Sequence, residues 1–154
     1  MWRSAKFVDE NVAFSRMPVR SEVDGGVARA FDAIVVLVEE FELPYPLEEW
    51  RKRGGVEVLH SPPISDFSAP SVDRLLEILR WIEERVGEGK KVLIHCMGGL
   101  GRSGTVAVAW LMYSEGLSLR EALRRVRSLR PGAVETYEQM GGVLRELEKL
   151  LRSR

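Results

Sequence analysis

The sequence predicts an α/β fold, with a central, mostly parallel sheet of about four to five strands flanked by helices. Three observations carry that expectation. Short β-branched runs at residues 33–39, 56–60 and 92–94 alternate with longer segments of helical period. Stretches rich in Gly, Pro and Ser separate them, as turns between buried elements require. The third run leads through His95 and Cys96 into a glycine-rich turn and a long apolar helix, a strand, turn and helix in direct succession.

Taken in order, residues 6–9 and 12–18 read as short strands near a sheet edge, because Pro18 cannot donate to a ladder and Asn11 suits a turn. Residues 22–30 form a short helix interrupted by Gly25-Gly26, and 33–39 a buried strand. Pro46 suits the first turn of a short helix running to residue 53, whose cluster Arg51-Lys52-Arg53 is a solvated helix end. Strand 56–60, with His60 at the sheet end, runs into a loop dense in proline and serine over 61–71. Ser71 caps the next helix, in which Val72, Leu75, Leu76, Leu79, Ile82 and Val86 share one face. After the glycine turn, residues 106–113 are apolar on almost every side and predict a buried helical spine. Ser118 and Glu121 form a capping box opening a helix with Leu119, Ala122, Leu123, Val126 and Leu129 inward. Its other face carries Arg120, Arg124, Arg125, Arg127 and Arg130, read as a solvated stripe paired with the chain's carboxylates. Pro131-Gly132 ends that helix, and a last one starts over 133–139 with Val143, Leu144, Leu147 and Leu150 on its core face.

Length and composition bound the function. A chain of 154 residues, 45% hydrophobic, suits one domain over 1–154 that buries about 70% of its unfolded surface. The formal net charge is zero, so no global basic field argues for nucleic acid or an anionic membrane. No apolar run approaches the roughly 18–20 residues that span a bilayer, and no signal-peptide pattern opens the chain. A cytoplasmic monomer is expected. The single Cys cannot form an internal disulfide, which suits a reducing compartment. Abundant charge, Arg in excess of Lys, and amides limited to Asn11 and Gln139 suggest a thermophile.

Chemistry concentrates at the corner after residue 94. Between Cys96 and Arg102 lie Met97, Gly98, Gly99, Leu100 and Gly101, whose glycines let the backbone curl with its N–H groups inward to hold a dianion. The helix starting near Arg102 adds its positive end, and the Arg102 fork matches two phosphate oxygens. That field favours a thiolate at Cys96. Ser103 can donate a hydrogen bond to the sulfur before attack and on departure. His95 reads as an orienting residue rather than a base, since a thiolate needs no proton removed. Loops at the C-terminal ends of parallel strands share one crevice, so the 61–71 loop should meet the Cys96 turn; Asp66 is its only ionisable residue.

His95-Cys96 followed by Gly101-Arg102-Ser103-Gly104-Thr105 resembles the signature of the cysteine-dependent protein tyrosine phosphatases. The length and the rest of the chain are similar to the small dual-specificity branch, in particular its compact archaeal members. The resemblance implies the three-layer fold of that superfamily, and Asp66-Phe67-Ser68-Ala69-Pro70-Ser71 is similar to its general-acid loop. It implies attack by Cys96 on phosphorus, protonation of the leaving group by Asp66, and hydrolysis of a phosphocysteine. It also implies a polar residue on the loop before the last helix that positions the hydrolytic water. Gln139 is one candidate; Glu135 is another, braced against Arg102 or assisting proton traffic.

No cofactor or metal is implied, since no clustered His, Cys and Asp set occurs. Phosphorylated proteins are the expected substrates, with phosphoserine and phosphothreonine beside phosphotyrosine because no added pocket walls are evident. Alternatives stay open: RNA 5′-phosphates, phosphoinositides, or a phosphopeptide-binding module on the same fold. A phosphoinositide is weakened by the absence of Lys and Arg from residues 97–101, RNA by neutral charge, and a pure binding module by the presence of nucleophile, arginine and acid together. Rhodanese and arsenate reductase loops also place a thiolate under backbone donors, but Ser103 and the upstream Asp66 loop suit a phosphatase better.

Overall fold

The computed structural model describes residues 2–52, 55–60, 64, 68–98, 101–136 and 138–153, with the side chains of residues 24, 25, 51 and 140 left aside. Asp66, Gly99 and Leu100 therefore lie outside the described residues.

Five strands form one sheet: β1 (Lys6–Phe7), β2 (Val12–Ser15), β3 (Ala33–Val36), β4 (Glu57–Leu59) and β5 (Val92–His95). Their spatial order is β1-β2-β5-β3-β4, with β1 antiparallel to β2 and every other pairing parallel. The helices are α1 (Arg20–Glu22), α2 (Ala28–Ala30), α3 (Glu48–Arg51), α4 (Val72–Gly87), α5 (Arg102–Glu115), α6 (Leu119–Leu129) and α7 (Arg145–Arg152). The expected sheet flanked by helices is the fold observed.

β5 is the central strand because its residues are apolar on both faces. Val92, Leu93 and Ile94 are fully buried between Val12, Ala13 and Phe14 of β2 and Ala33, Ile34 and Val35 of β3. Burying side chains of this size contributes roughly 1.5–3 kcal/mol each. The register sets His95 between Ser15 and Val36, so Cys96 leaves the middle of the sheet at its C-terminal edge.

α5 follows at once and is buried from Arg102 through Met112, as its all-round apolar sequence requires. Gly116, with φ of 69°, ends it by a left-handed cap whose N–H donates to the Met112 carbonyl at 3.1 Å. α4 begins where Ser71 accepts from the Arg74 N–H at 3.2 Å and buries Leu75, Leu76, Ile78, Leu79 and Ile82. The capping box of α6 forms as expected, with Ser118 and Glu121 exchanging two hydrogen bonds of 3.1 Å. Among the described residues no helix is long and apolar enough to cross a membrane.

Three expectations need correction. The second strand stops at Ser15 rather than 18, because the chain leaves the ladder and the Met17 N–H donates to the Met97 carbonyl instead. The last helix does not start over 133–139: residues 133–136 are irregular, a wide helical turn runs over Glu138–Leu144, and regular α-helix begins only at Arg145. Gly141-Gly142 lie in that wide turn, where they weaken regular helix. The α6 arginine stripe meets a carboxylate as expected where Arg125 pairs with Glu115 at 2.9 Å, but Arg127 donates instead to the carbonyls of Ala133 and Val134, and Arg130 to the carbonyl of Gly98.

Candidate active site

The corner after β5 brings a thiol and a hydroxyl together by local chain geometry, with Arg102 next to that hydroxyl in the chain. Cys96 is 2% exposed, and its sulfur is hydrogen-bonded to the Ser103 hydroxyl at 3.2 Å. With the sulfur ionised, the hydroxyl is the donor. Ser103 and Arg102 are held there by the first turn of α5, which is locked when both the N–H and the hydroxyl of Thr105 donate to the Gly101 carbonyl, at 2.9 and 2.7 Å.

The turn between them is fixed through its carbonyls. Met97 accepts from the Met17 N–H at 3.0 Å, and Gly98 accepts from Arg130 Nη2, also at 3.0 Å. A trans peptide sets each N–H opposite the preceding carbonyl, so the Gly98 N–H is turned away from Met17. Met97 and Gly98 are themselves exposed, and they form the open side of the turn.

Arg102 is 2% exposed and its charge is met end-on by Glu42. Nη1 and Nη2 each donate to one carboxylate oxygen at 2.8 Å, and Nη1 donates also to the Ile64 carbonyl at 2.8 Å. The Glu42 carboxyl is held below the usual carboxylate range, first by the Arg102 hydrogen bonds and further by the Glu39 N–H, against the opposing effect of burial. A guanidinium has a second bidentate edge, Nε with Nη2, which is the edge geometrically suited to two phosphate oxygens. Sequence reasoning missed Glu42. Its signal was present: the acidic run Glu39-Glu40-Phe41-Glu42 leaves the C-terminal end of β3, the crevice side already used to argue for the 61–71 loop.

His95 is wholly buried, and its Nδ1 lies 3.4 Å from the Cys96 carbonyl. Burial pushes its imidazole down to about 4, outweighing the Cys96 hydrogen bond, so it is neutral at physiological pH.

The irregular segment before the wide turn reaches the same place. At Gly101 an added Cβ would stand 2.5 Å from Glu135 Oε1 and 2.9 Å from Gln139 Nε2, so any side chain there would have to displace the ends of both. Gln139 is fully buried. Its carboxamide oxygen accepts from the N–H groups of Glu135 and Thr136 at 2.8 and 3.2 Å, and its nitrogen donates to the Ser68 carbonyl at 3.1 Å. Glu135 is exposed to solvent beyond its contact with the turn. Thus Glu135 and Gln139 close on Gly101, the residue that leads into Arg102 and Ser103, and the chain two residues past Asp66 is tied to Gln139.

A buried thiol at the end of a central parallel strand, hydrogen-bonded to a serine that follows an arginine at the start of the next helix, defines the class of cysteine-dependent phosphatase folds. The chain belongs to the family of dual specificity phosphatase catalytic domains, whose profile matches residues 10–149. It is 76% identical to Tk-PTP, solved in its active form, with a TM-score of 0.93 over 97% of this chain and 99% of that one. Kinase associated phosphatase, solved with its catalytic site cysteine replaced by serine, is 27% identical with a TM-score of 0.80, over 93% of this chain and 88% of that one. Among curated proteins, cyclin-dependent kinase inhibitor 3 of Sus scrofa is 36% identical over 104 residues, which make up 66% of this chain and 48% of that protein. The dual specificity protein phosphatase Mpk3 of Drosophila melanogaster is 31% identical over 106 residues, 69% of this chain and 26% of that protein. The chain thus spans about half or less of the length of these curated relatives.

Proposed function

We propose that this protein is a phosphoprotein phosphatase that hydrolyses phosphotyrosine, together with phosphoserine and phosphothreonine, through a phosphocysteine. The observation that carries the reading is the Cys96 sulfur 3.2 Å from the Ser103 hydroxyl, beside a buried Arg102 on the same helical turn. Family membership and the likeness to Tk-PTP support it. So does kinase associated phosphatase, a chain of the same fold that has a catalytic site cysteine.

In the first step the Cys96 thiolate attacks phosphorus in line. The P–O bond to the leaving group breaks, and Asp66 gives that oxygen its proton. Arg102 and the N–H groups of the turn over 97–102 stabilise the charge on the three equatorial oxygens. In the second step Asp66, now a carboxylate, takes a proton from the attacking water, the S–P bond breaks, and Ser103 stabilises the departing thiolate. The chain's own groups complete both steps without a metal. Gln139 and Glu135, both against Gly101, serve the second step, Gln139 by orienting water and Glu135 by sharing the proton traffic.

Phosphotyrosyl and phosphothreonyl peptides assayed in excess chelator test the reading. Hydrolysis of both is expected, abolished by Cys96→Ser and slowed about 10²-fold or more by Asp66→Asn. Activity that needs a metal, or that survives loss of the thiol, contradicts it.

A further inference from the structure

Val134 has φ of 64°, the left-handed region, and it is the one described non-glycine residue there. For a β-branched side chain that conformation is strained and persists only where its surroundings impose it. The surroundings are identifiable. Ala133 and Val134 are buried, and Ala133 is jammed against the first turn of α5: a Cβ added at Gly104 would stand 3.1 Å from both the Ala133 methyl and the Val134 nitrogen. From the last turn of α6, Arg127 donates through Nε to the Ala133 carbonyl at 2.9 Å and through Nη2 to the Val134 carbonyl at 3.0 Å.

The second of these bonds reaches the site. The Val134 carbonyl and the Glu135 N–H belong to one rigid peptide unit and point opposite ways. Arg127 holds the carbonyl end, and the Gln139 carboxamide oxygen holds the N–H end at 2.8 Å. One planar group therefore joins an arginine on α6 to the two side chains that close on Gly101. We propose that Arg127 is a positioning residue: its fork clamps the strained 133–134 turn and, through the 134–135 peptide, sets Gln139 and Glu135 against the phosphate-binding turn. The inference rests on the hydrolytic reading of Gln139 and Glu135 given above. A lysine offers no planar fork for two adjacent carbonyls, so Arg127→Lys does not replace it.

The test combines a structural and a kinetic readout on the full chain. Amide hydrogen exchange at Glu135 and Thr136 is expected to accelerate in Arg127→Ala while protection in β5 stays native. Unchanged protection at 135–136 overturns the clamp whatever the enzyme does. With an aryl phosphate, Arg127→Ala and Arg127→Lys should lower kcat about tenfold or more and leave KM within about twofold. Gln139→Ala should lower kcat as well, and the double variant should be no slower than Gln139→Ala by more than about twofold, because both changes release the same peptide. Additive losses overturn the proposal. Val134→Gly, which removes the strain, should restore part of the turnover lost in Arg127→Ala, and no recovery counts against it. Wild-type and Cys96→Ser rates, measured alongside, report on the phosphatase reading itself, and the exchange result stands apart from that outcome.

Discussion

The two flanks of the Cys96 turn are built differently. On the side that follows the nucleophile, Met97 and Gly98 are exposed and held by two backbone carbonyls, one bonded to Met17 and one to Arg130. On the side that enters α5, residues 101–105 are all buried, Arg102 is clamped by Glu42, and Gly101 and Gly104 are in close contact with the 133–139 segment. An open flank suits entry of a substrate. A closed one suits an anion clamp, because donors fixed in advance in a water-poor site need no reorganisation as charge develops.

The sharpest way to break this asymmetry is Arg102→Lys, which keeps the charge and loses the planar fork. Turnover of an aryl phosphate is expected to fall about 10³-fold, with the fold intact by circular dichroism. Glu42→Ala comes next. Removing one partner of a buried pair takes from Arg102 its bidentate carboxylate, so the melting curve should report a loss of about 3–5 kcal/mol, together with a lower kcat; Glu42→Gln should cost less on both counts.

A third contrast uses the two glycines. Gly101→Ala sets a methyl where Glu135 Oε1 and the buried Gln139 carboxamide now stand, so it must push both aside and should lower both kcat and the melting temperature, whereas a Cβ at Gly98 meets nothing within 4 Å and should leave the melting temperature unchanged. The pH dependence of stability probes the closed side through His95. Its folded value is depressed to about 4 from an ordinary 6.5, so between those values the unfolded chain binds the extra proton. Stability is therefore full above about pH 6.5 and falls as pH drops toward 4, with the His95 share on the order of 3 kcal/mol and paired carboxylates such as Glu42 adding to the loss lower down. His95→Asn should flatten that window in denaturant titrations. The smallest effect belongs to the open side: Arg130→Ala removes one part-exposed hydrogen bond to Gly98 and should change KM by about two- to fivefold with little change in stability.

The same asymmetry explains what the sequence made legible. The corner could be read because its cues are local: a β-branched run, a cysteine, glycines and an apolar helix lie in direct succession, and the sheet order merely places β5 in the middle. The bonds that brace it are long-range, and no local pattern names both partners. Glu42 stands 60 residues from Arg102 in the chain, and the acidic run that holds it points to the crevice without pointing to that arginine. Arg127 lies in a stripe whose spacing reads as solvated charge paired with carboxylates, whereas the structure sets the Ala133 and Val134 carbonyls, at the left-handed turn, within its reach. Gln139 and Glu135 were singled out as candidates, but not the close approach at Gly101 that sets them against the turn. The wide turn over Glu138–Leu144 was missed because its apolar residues keep a helical spacing while its hydrogen bonding does not.

The most direct measurement is rapid acid quenching of the protein during turnover of a phosphotyrosyl peptide, followed by mass spectrometry of the peptide containing residue 96. The account predicts one added phosphoryl group on the Cys96 sulfur, formed within a single turnover and absent in Cys96→Ser. Turnover that proceeds with no phosphate on that sulfur, or with phosphate on another side chain, would contradict it.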